Sequence, residues 1–405
     1  MKTIGDERLR RVLLLAYVVG LGVSITLAQI ALLLLAARAV GRRVTGRAST
    51  PWPLGWPVAA FIGATLLAAA LSADPLESLV TARSAFLLLA LWVVMDALPT
   101  VDAAARALFG LLAVLGLVSA LGIAQVTFCG EPWFAAAGAH MTGWWPALGR
   151  FFGKCHRAHG FYSIYMTLAG VLNVVLLATL AGPVLPGPRR RWTPLAWLMA
   201  LVAFALTYVR GAWLGFGAGA LTFVASARRY RIALGLGFAV LALAALAMPG
   251  VRDRARSIVD PSDPTSSERV HMWRSALAMA RDHPLTGVGP GQVKHVYPRY
   301  AAPEVVNKRR GHLHNTPLQI LVERGVLGLA AWLWVFGAFL HRGFRTAAAI
   351  HAPLPRALVT GAVAAIVGFL VAGLFEHNFG DTEVLLAALF VMAIALVVRR
   401  DDVSA

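Results

Sequence analysis

His312-Leu313-His314-Asn315-Thr316-Pro317 opens an apolar run that continues to residue 340, and this junction decides how the chain is read. Proline suits the first turn of a helix, and Asn315 or Thr316 suits its N-cap. His314 then stands just outside a helix whose first N–H groups point outward, a position that attracts anions. A neutral imidazole there can take a proton from a hydroxyl group. The plainer alternative is a histidine that bonds backbone at a membrane interface.

The rest of the chain is more of the same kind of run. Of 405 residues, 59% are hydrophobic and 14% charged, and the mean hydropathy is +0.70. A soluble domain has too little polar surface at that composition to cover itself. The chain reads as an all-α polytopic membrane protein, a single transmembrane domain over residues 1–405. Its net charge of +18 sits mainly in the breaks between apolar runs. That placement fits topology signals and contact with anionic lipid or phosphate, and argues against nucleic acid.

Residues 12–40 are almost continuously apolar. As one helix they would be roughly 43 Å long against a ~30 Å hydrocarbon slab, so two short, tilted helices broken near Gly20, Gly22 and Ser24 are expected. Runs at 54–73, 80–98, 103–125, 161–182, 192–209, 211–226, 231–248, 317–340, 357–375 and 383–398 bring the count to about twelve transmembrane helices. With the N-terminus inside, the basic breaks Gly41–Arg47, Pro188–Arg191, Arg228–Arg231 and Arg399-Arg400 fall inside, as the positive-inside rule asks. The smaller loop 126–160 and the large loop 249–314 fall outside. The smaller one mixes Trp133, Phe134, Trp144, Trp145, Phe151 and Phe152 with sparse charge, as a loop lying in the interface would. It also holds both cysteines, Cys129 and Cys155, which an oxidising compartment could join or leave free. The large loop carries eleven basic against six acidic residues, an excess that an anionic substrate would explain.

Within the large loop one helix is expected. Thr265-Ser266-Ser267-Glu268 has capping-box spacing, and Val270, Trp273, Leu277 and Ala280 form an apolar stripe. It should stop at His283-Pro284. The glycine cluster Gly287–Gly291 is no nucleotide motif, since no strand precedes it and no helix obviously follows.

Beside His314, the arginines are the candidates. Arg210 lies in a turn too short to be a normal loop, after Tyr208, where an ionisable group at the membrane face is functional by default. A guanidinium grips phosphate oxygens in a fork that lysine cannot match. Arg269 begins the loop helix off its apolar stripe. Arg157, in Arg157-Ala158-His159-Gly160, ends the other outer loop, and Lys308-Arg309-Arg310 precedes the opening motif. Asn315, Gln319 and Glu323 share one polar stripe. Glu323 reads as a second base or as a buried partner for an arginine. Glu376-His377-Asn378 with Asp381 forms the last outer turn, with His377 a further candidate. No His/Cys set has zinc spacing. Asp260-Pro261-Ser262-Asp263 is explained by turn chemistry as well as by a metal.

Taken together, the Arg210-Gly211 turn, Glu268-Arg269 with Trp273, His283-Pro284-Leu285-Thr286-Gly287-Val288-Gly289, His314-Asn315 with Leu318-Gln319, and Glu323-Arg324-Gly325-Val326-Leu327-Gly328 resemble the O-antigen ligase/polymerase-like superfamily. The motifs cover about 200–330. The resemblance implies a GT-C type glycosyltransferase of the bacterial inner membrane with its active site on the periplasmic face. It implies transfer of O-antigen from undecaprenyl pyrophosphate to a sugar hydroxyl of lipid A–core, without metal, ATP or another cofactor. It also implies an essential histidine at His314 and functional arginines at Arg210 and Arg269. Sister activities are the O-antigen polymerase and the protein O-oligosaccharyltransferase. One dominant outer loop disfavours the first, and the lack of extra C-terminal sequence after the last helix disfavours the second. A lipid-linked glycan transporter or flippase would show paired broken helices and midplane charges; here the charges gather at one face.

Overall fold

The computed structural model describes residues 2–46, 50–144, 152–153, 155–182, 191–226, isolated positions between 232 and 243, 247–258, 260, 264–302, 305 and 310–398. Ten of the eleven apolar runs coincide with helices, the first of them with two. The run at 231–248 lies almost wholly outside the described residues, as do Pro188–Arg190, Arg228–Arg231, Lys308-Arg309 and Arg399-Arg400. Among the described residues five helices are long and apolar enough to cross a membrane, and four shorter ones are apolar as well.

The first run breaks at Ser24, as its length requires. Helices α1 (Lys2–Val23) and α2 (Ile25–Val44) are nevertheless not short. Each recruits its charged flank, because the flanks pair: Arg38 forks onto Asp6 at 2.7 and 2.8 Å and reaches Asp96 at 2.9 Å. The hairpin closes on glycine, since a Cβ on Gly20 would lie 2.4 Å from the Ala28 nitrogen. Helices α3 (Gly55–Ala70), α4 (Pro75–Ala82), α5 (Ala90–Ala97) and α6 (Val101–Thr127) follow. The 80–98 run is not one α-helix: residues Arg83–Leu89 tighten into a 3-10 segment between α4 and α5.

The smaller loop, expected to lie in the interface, contains a helix, α7 (Pro132–Trp144). Phe134 packs on Trp133 and Phe152, and Cys129 is disulfide-bonded to Cys155. Helices α8 (Tyr165–Ala178), α9 (Thr193–Leu206) and α10 (Arg210–Ser226) return to the bundle. Then come α11 (Pro249–Arg256), α12 (Pro264–Asp282), the one-turn α13 (Val293–Val296), α14 (Thr316–Ala349), α15 (Pro353–Ala372) and α16 (Thr382–Val397). α16 is apolar all round and buried from Val384 to Leu396, as a central helix must be. Small residues let the others close on it and on each other: Cβ atoms on Gly215, Gly219 and Gly361 would meet the carbonyls of Gly368, Ala364 and Ala178 within 2.6 Å. Consecutive spans alternate direction. The N-termini of α8, α10, α14 and α16 and the C-terminus of α15 therefore share one end, opposite the Asp6–Arg38–Asp96 cluster.

The large loop corrects the sequence reading in three places. α12 begins at Pro264, so Thr265 lies inside it rather than capping it. Its buried face is Met272, Ala276, Met279 and Ala280, with Trp273 packed against it, around Leu313, Val322, Val293 and Tyr297; of the expected stripe Val270 and Leu277 are instead 41% and 46% exposed. The two stripes have the same helical spacing, so periodicity could not choose between them. A short helix, α13, does follow the glycine cluster, whose Gly289 and Gly291 fit against Ser72 and Thr81 with positive φ.

The remaining correction concerns α14, which is not continuous. Gly325 leaves helical geometry at φ 62°, ψ −168°. The loop segment 284–289 fills the break: the Val288 and Gly289 N–H groups donate to Val322 and Glu323 carbonyls at 2.8 and 3.0 Å. The Val326 and Leu327 N–H groups donate back to Pro284 and Leu285 at 2.8 and 3.4 Å. Backbone freed at membrane depth must be satisfied by protein in this way. A Cβ on Gly325 would sit 2.1 Å from the Leu285 carbonyl oxygen, whereas Gly337 of the same helix faces open space. We expect Gly325→Ala to cost on the order of 2–4 kcal/mol and Gly337→Ala to be nearly silent. Thermal melting of the detergent-purified proteins reads the difference, and equal midpoints would contradict the docking.

Candidate functional site

Residue 314 is held from both sides. Leu313 is fully buried; its N–H donates to Gln319 Oε1 at 2.9 Å and its carbonyl accepts from Trp273 Nε1 at 3.2 Å. Asn315 is the N-cap of α14, accepting from the Leu318 N–H at 2.9 Å and donating to the Leu374 carbonyl at 2.9 Å. Between them His314 adopts φ 47°. Tyr208, ahead of Arg210, adopts φ 55°, and these two are the non-glycine residues with positive φ among the described residues. Both face the same cavity. Backbone held in this sparsely populated region clusters at functional sites.

That cavity, of about 170 Å³, is lined by Arg157, Tyr208, Arg210, Arg254, Arg269 and His314, with Glu268, Glu376 and apolar side chains beside them. Each cation arrives on its own element. Arg210 is the first residue of α10; its Nη1 donates to the Ser257 carbonyl and to Ser257 Oγ at 2.8 Å, tying the turn to the residue after α11. Arg254 of α11 donates to the Tyr208 carbonyl at 3.4 Å. Arg269 reaches Glu376 Oε2 at 3.7 Å. Arg157 lies over the Tyr165 ring at 4.4 Å, and the neighbouring Ala158 N–H donates to the Leu206 carbonyl at 3.1 Å. Four arginines against two glutamates leave the pocket cationic.

His314 Nδ1 lies 2.7 Å from Glu376 Oε1. Burial acts to raise the Glu376 carboxyl pKa. The hydrogen bond and charge of His314, the charge of Arg269 and the His377 N–H outweigh it, and the net direction is below the usual 4.5. An ionised carboxylate only accepts, so Nδ1 of a neutral His314 carries the hydrogen and Nε2 keeps its lone pair. This is the carboxylate–histidine arrangement that fixes a tautomer and orients a base. The ligand atoms of His312, His314 and Glu376 also lie within 4.8 Å of one another, a spacing that could hold a metal ion. An ion there would have to displace the His314–Glu376 bond.

Sequence reasoning named Arg157, Tyr208, Arg210, Arg269 and His314, and the structure brings all five together. It places the other candidates elsewhere. Asn315 caps α14. Glu323 is buried among Gln319 Nε2 at 2.8 Å, the Gly291 N–H at 3.0 Å and Arg324 at 2.6 Å, which makes it the arginine's partner. His377 lines a neighbouring cavity. Arg254 was passed over as one of many charges in the polar segment. Glu268 had been read only as a capping residue, but it pairs with Arg310. Glu376 was seen only as part of an outer turn, and no spacing links it to a residue 62 positions away.

Fold and site together define a multi-span membrane protein with a cationic, histidine-bearing cavity where several helix ends meet. Residues 194–333 match the family model described as O-antigen ligase, the family that the motifs in this part of the chain resemble. The matched segment carries Arg210, Arg254, Arg269 and His314; Arg157 and Glu376 lie outside it. No curated protein matches the chain.

Glu376 supplies a pH test. Its depressed pKa stabilises the fold fully above the usual carboxylate range, and that contribution is lost as pH falls through the lower folded-state value. Melting temperatures of wild type and Glu376→Gln should therefore differ near neutrality and converge as pH drops below 4.5. A gap that stays constant with pH would contradict the pairing.

Proposed function

We propose that this protein is a lipopolysaccharide O-antigen ligase of the bacterial inner membrane, acting at the periplasmic face. The observation that carries this reading is the meeting of one oriented histidine with four arginines in a single cavity. The donor, O-antigen on undecaprenyl pyrophosphate, leaves as a pyrophosphate whose charge grows as the glycosidic C–O bond breaks. Arg210 and Arg269, with Arg157 and Arg254 beside them, can meet that charge in a site with little water. A hydroxyl of lipid A–core gives its proton to His314 Nε2 and forms the new C–O bond. The electron pair of the old bond departs on the phosphate oxygen. With base and leaving group on opposite sides of the sugar carbon, direct displacement inverts the anomeric centre. The bond broken is already activated, so the chemistry has no need of a nucleotide.

The disulfide supports the orientation. Cys129–Cys155 closes the loop that ends in Arg157, and such bonds persist in oxidising compartments. Both lipid substrates would lie with their reactive heads at this membrane face, which makes the encounter local.

The test is reconstitution of the purified protein with undecaprenyl-pyrophosphate-linked glycan and lipid A–core. We expect lipopolysaccharide product with and without EDTA. We expect a loss of about 100-fold or more in Arg210→Lys and in His314→Ala, the scale of removing a group that stabilises or assists the transition state. Loss of product with EDTA would point instead to an ion at His312, His314 and Glu376. Undiminished product from His314→Ala would overturn the mechanism.

A further inference from the structure

A second cavity of about 240 Å³ adjoins the first and shares two walls with it, Met166 and Glu376. Its chemistry is the opposite. Among the described residues no arginine or lysine lines it; its polar groups are His312, His377, Asn378, Asp381 and Glu376, with Ile164 and Val384 as apolar wall. The His312 ring stands 4.3 Å from that of His314 and 6.5 Å from that of His377. A row of imidazoles therefore runs from the second cavity to the base in the first.

A neutral imidazole can donate one hydrogen bond and accept another, as a hydroxyl can. Asp381 Oδ2 accepts from Thr167 at 2.5 Å and its Oδ1 caps α16, so the carboxylate is fixed in place. One buried polar atom at this site, His377 Nδ1, has no hydrogen-bond partner among the described residues. Buried polar atoms are nearly always satisfied, and exceptions point to a missing partner. Among the described residues a pyrophosphate would meet two carboxylates and no arginine or lysine; a sugar would meet hydrogen-bonding acceptors and imidazoles flanked by apolar surface.

We propose that this second cavity is the acceptor subsite, binding an uncharged, hydroxyl-bearing sugar ring and presenting one hydroxyl across the Glu376 wall to His314. The proposal rests on the transferase reading above. It assigns substrate choice to Ile164, His312 and His377, and donor binding to the arginines of the first cavity.

Ile164 lines the second cavity and not the first, and is 38% exposed, so a larger side chain there can fill the cavity without disturbing the core. The experiment measures transfer from the lipid-linked donor while lipid A–core and donor concentrations are varied separately, in wild type, Ile164→Trp and His312→Ala. Both variants should raise the KM for lipid A–core about tenfold or more, the scale of a lost hydrogen bond or a blocked contact, and leave the KM for donor unchanged. Arg157→Ala should show the reverse. A rise in donor KM in the Ile164 and His312 variants, or an unchanged acceptor KM, would overturn the subsite while leaving the transferase standing. A wild-type protein that forms no product would overturn the transferase reading and the subsite with it.

Discussion

The site depends on a repair. Helix α14 is interrupted at Gly325, and the four main-chain hydrogen bonds between 284–289 and 322–327 make good the groups the interruption frees. In hydrocarbon such groups cannot be left to solvent. The same bonds fasten the end of α12 to the helix that follows His314. The outer segment is thereby docked on the bundle rather than merely tethered to it. Burial of Met272, Ala276 and Met279 against Leu313 and Val322 completes the docking. Arg269, one turn before Met272, is brought to the His314 cavity by the same packing.

A division of labour follows from the placement of charge. Four arginines gather with His314 around one cavity, and the turn between α15 and α16 supplies the carboxylate that His314 bonds. Glu323 and Arg324, equally buried, are spent on each other and on the docking of the glycine turn through Gly291. One acidic residue therefore serves structure and another, Glu376, serves the histidine, although both lie near the same membrane face.

Much of this was legible in the sequence. The break at Ser24 follows from a run too long for one span. Arg210 and His314 stand out because polar groups at helix ends in a membrane are costly. What was not legible is pairwise and distant. Nothing in the spacing of His314 and Glu376 announces their bond, and Arg254 is one of three alternating arginines in α11. The buried face of α12 had an equally periodic rival. The break at Gly325 was hidden because its flanks are helix-forming and apolar; only its partner loop, 36–41 residues earlier in the chain, makes the interruption affordable.

The central claim is that Glu376 acts through His314, orienting it as the base, and has no separate part in transfer. Single-turnover rates for wild type, Glu376→Gln, His314→Ala and the double variant test this directly, because residues that work as a unit are not additive. The account predicts that the double variant is no slower than His314→Ala alone. Losses that multiply in the double variant would contradict it.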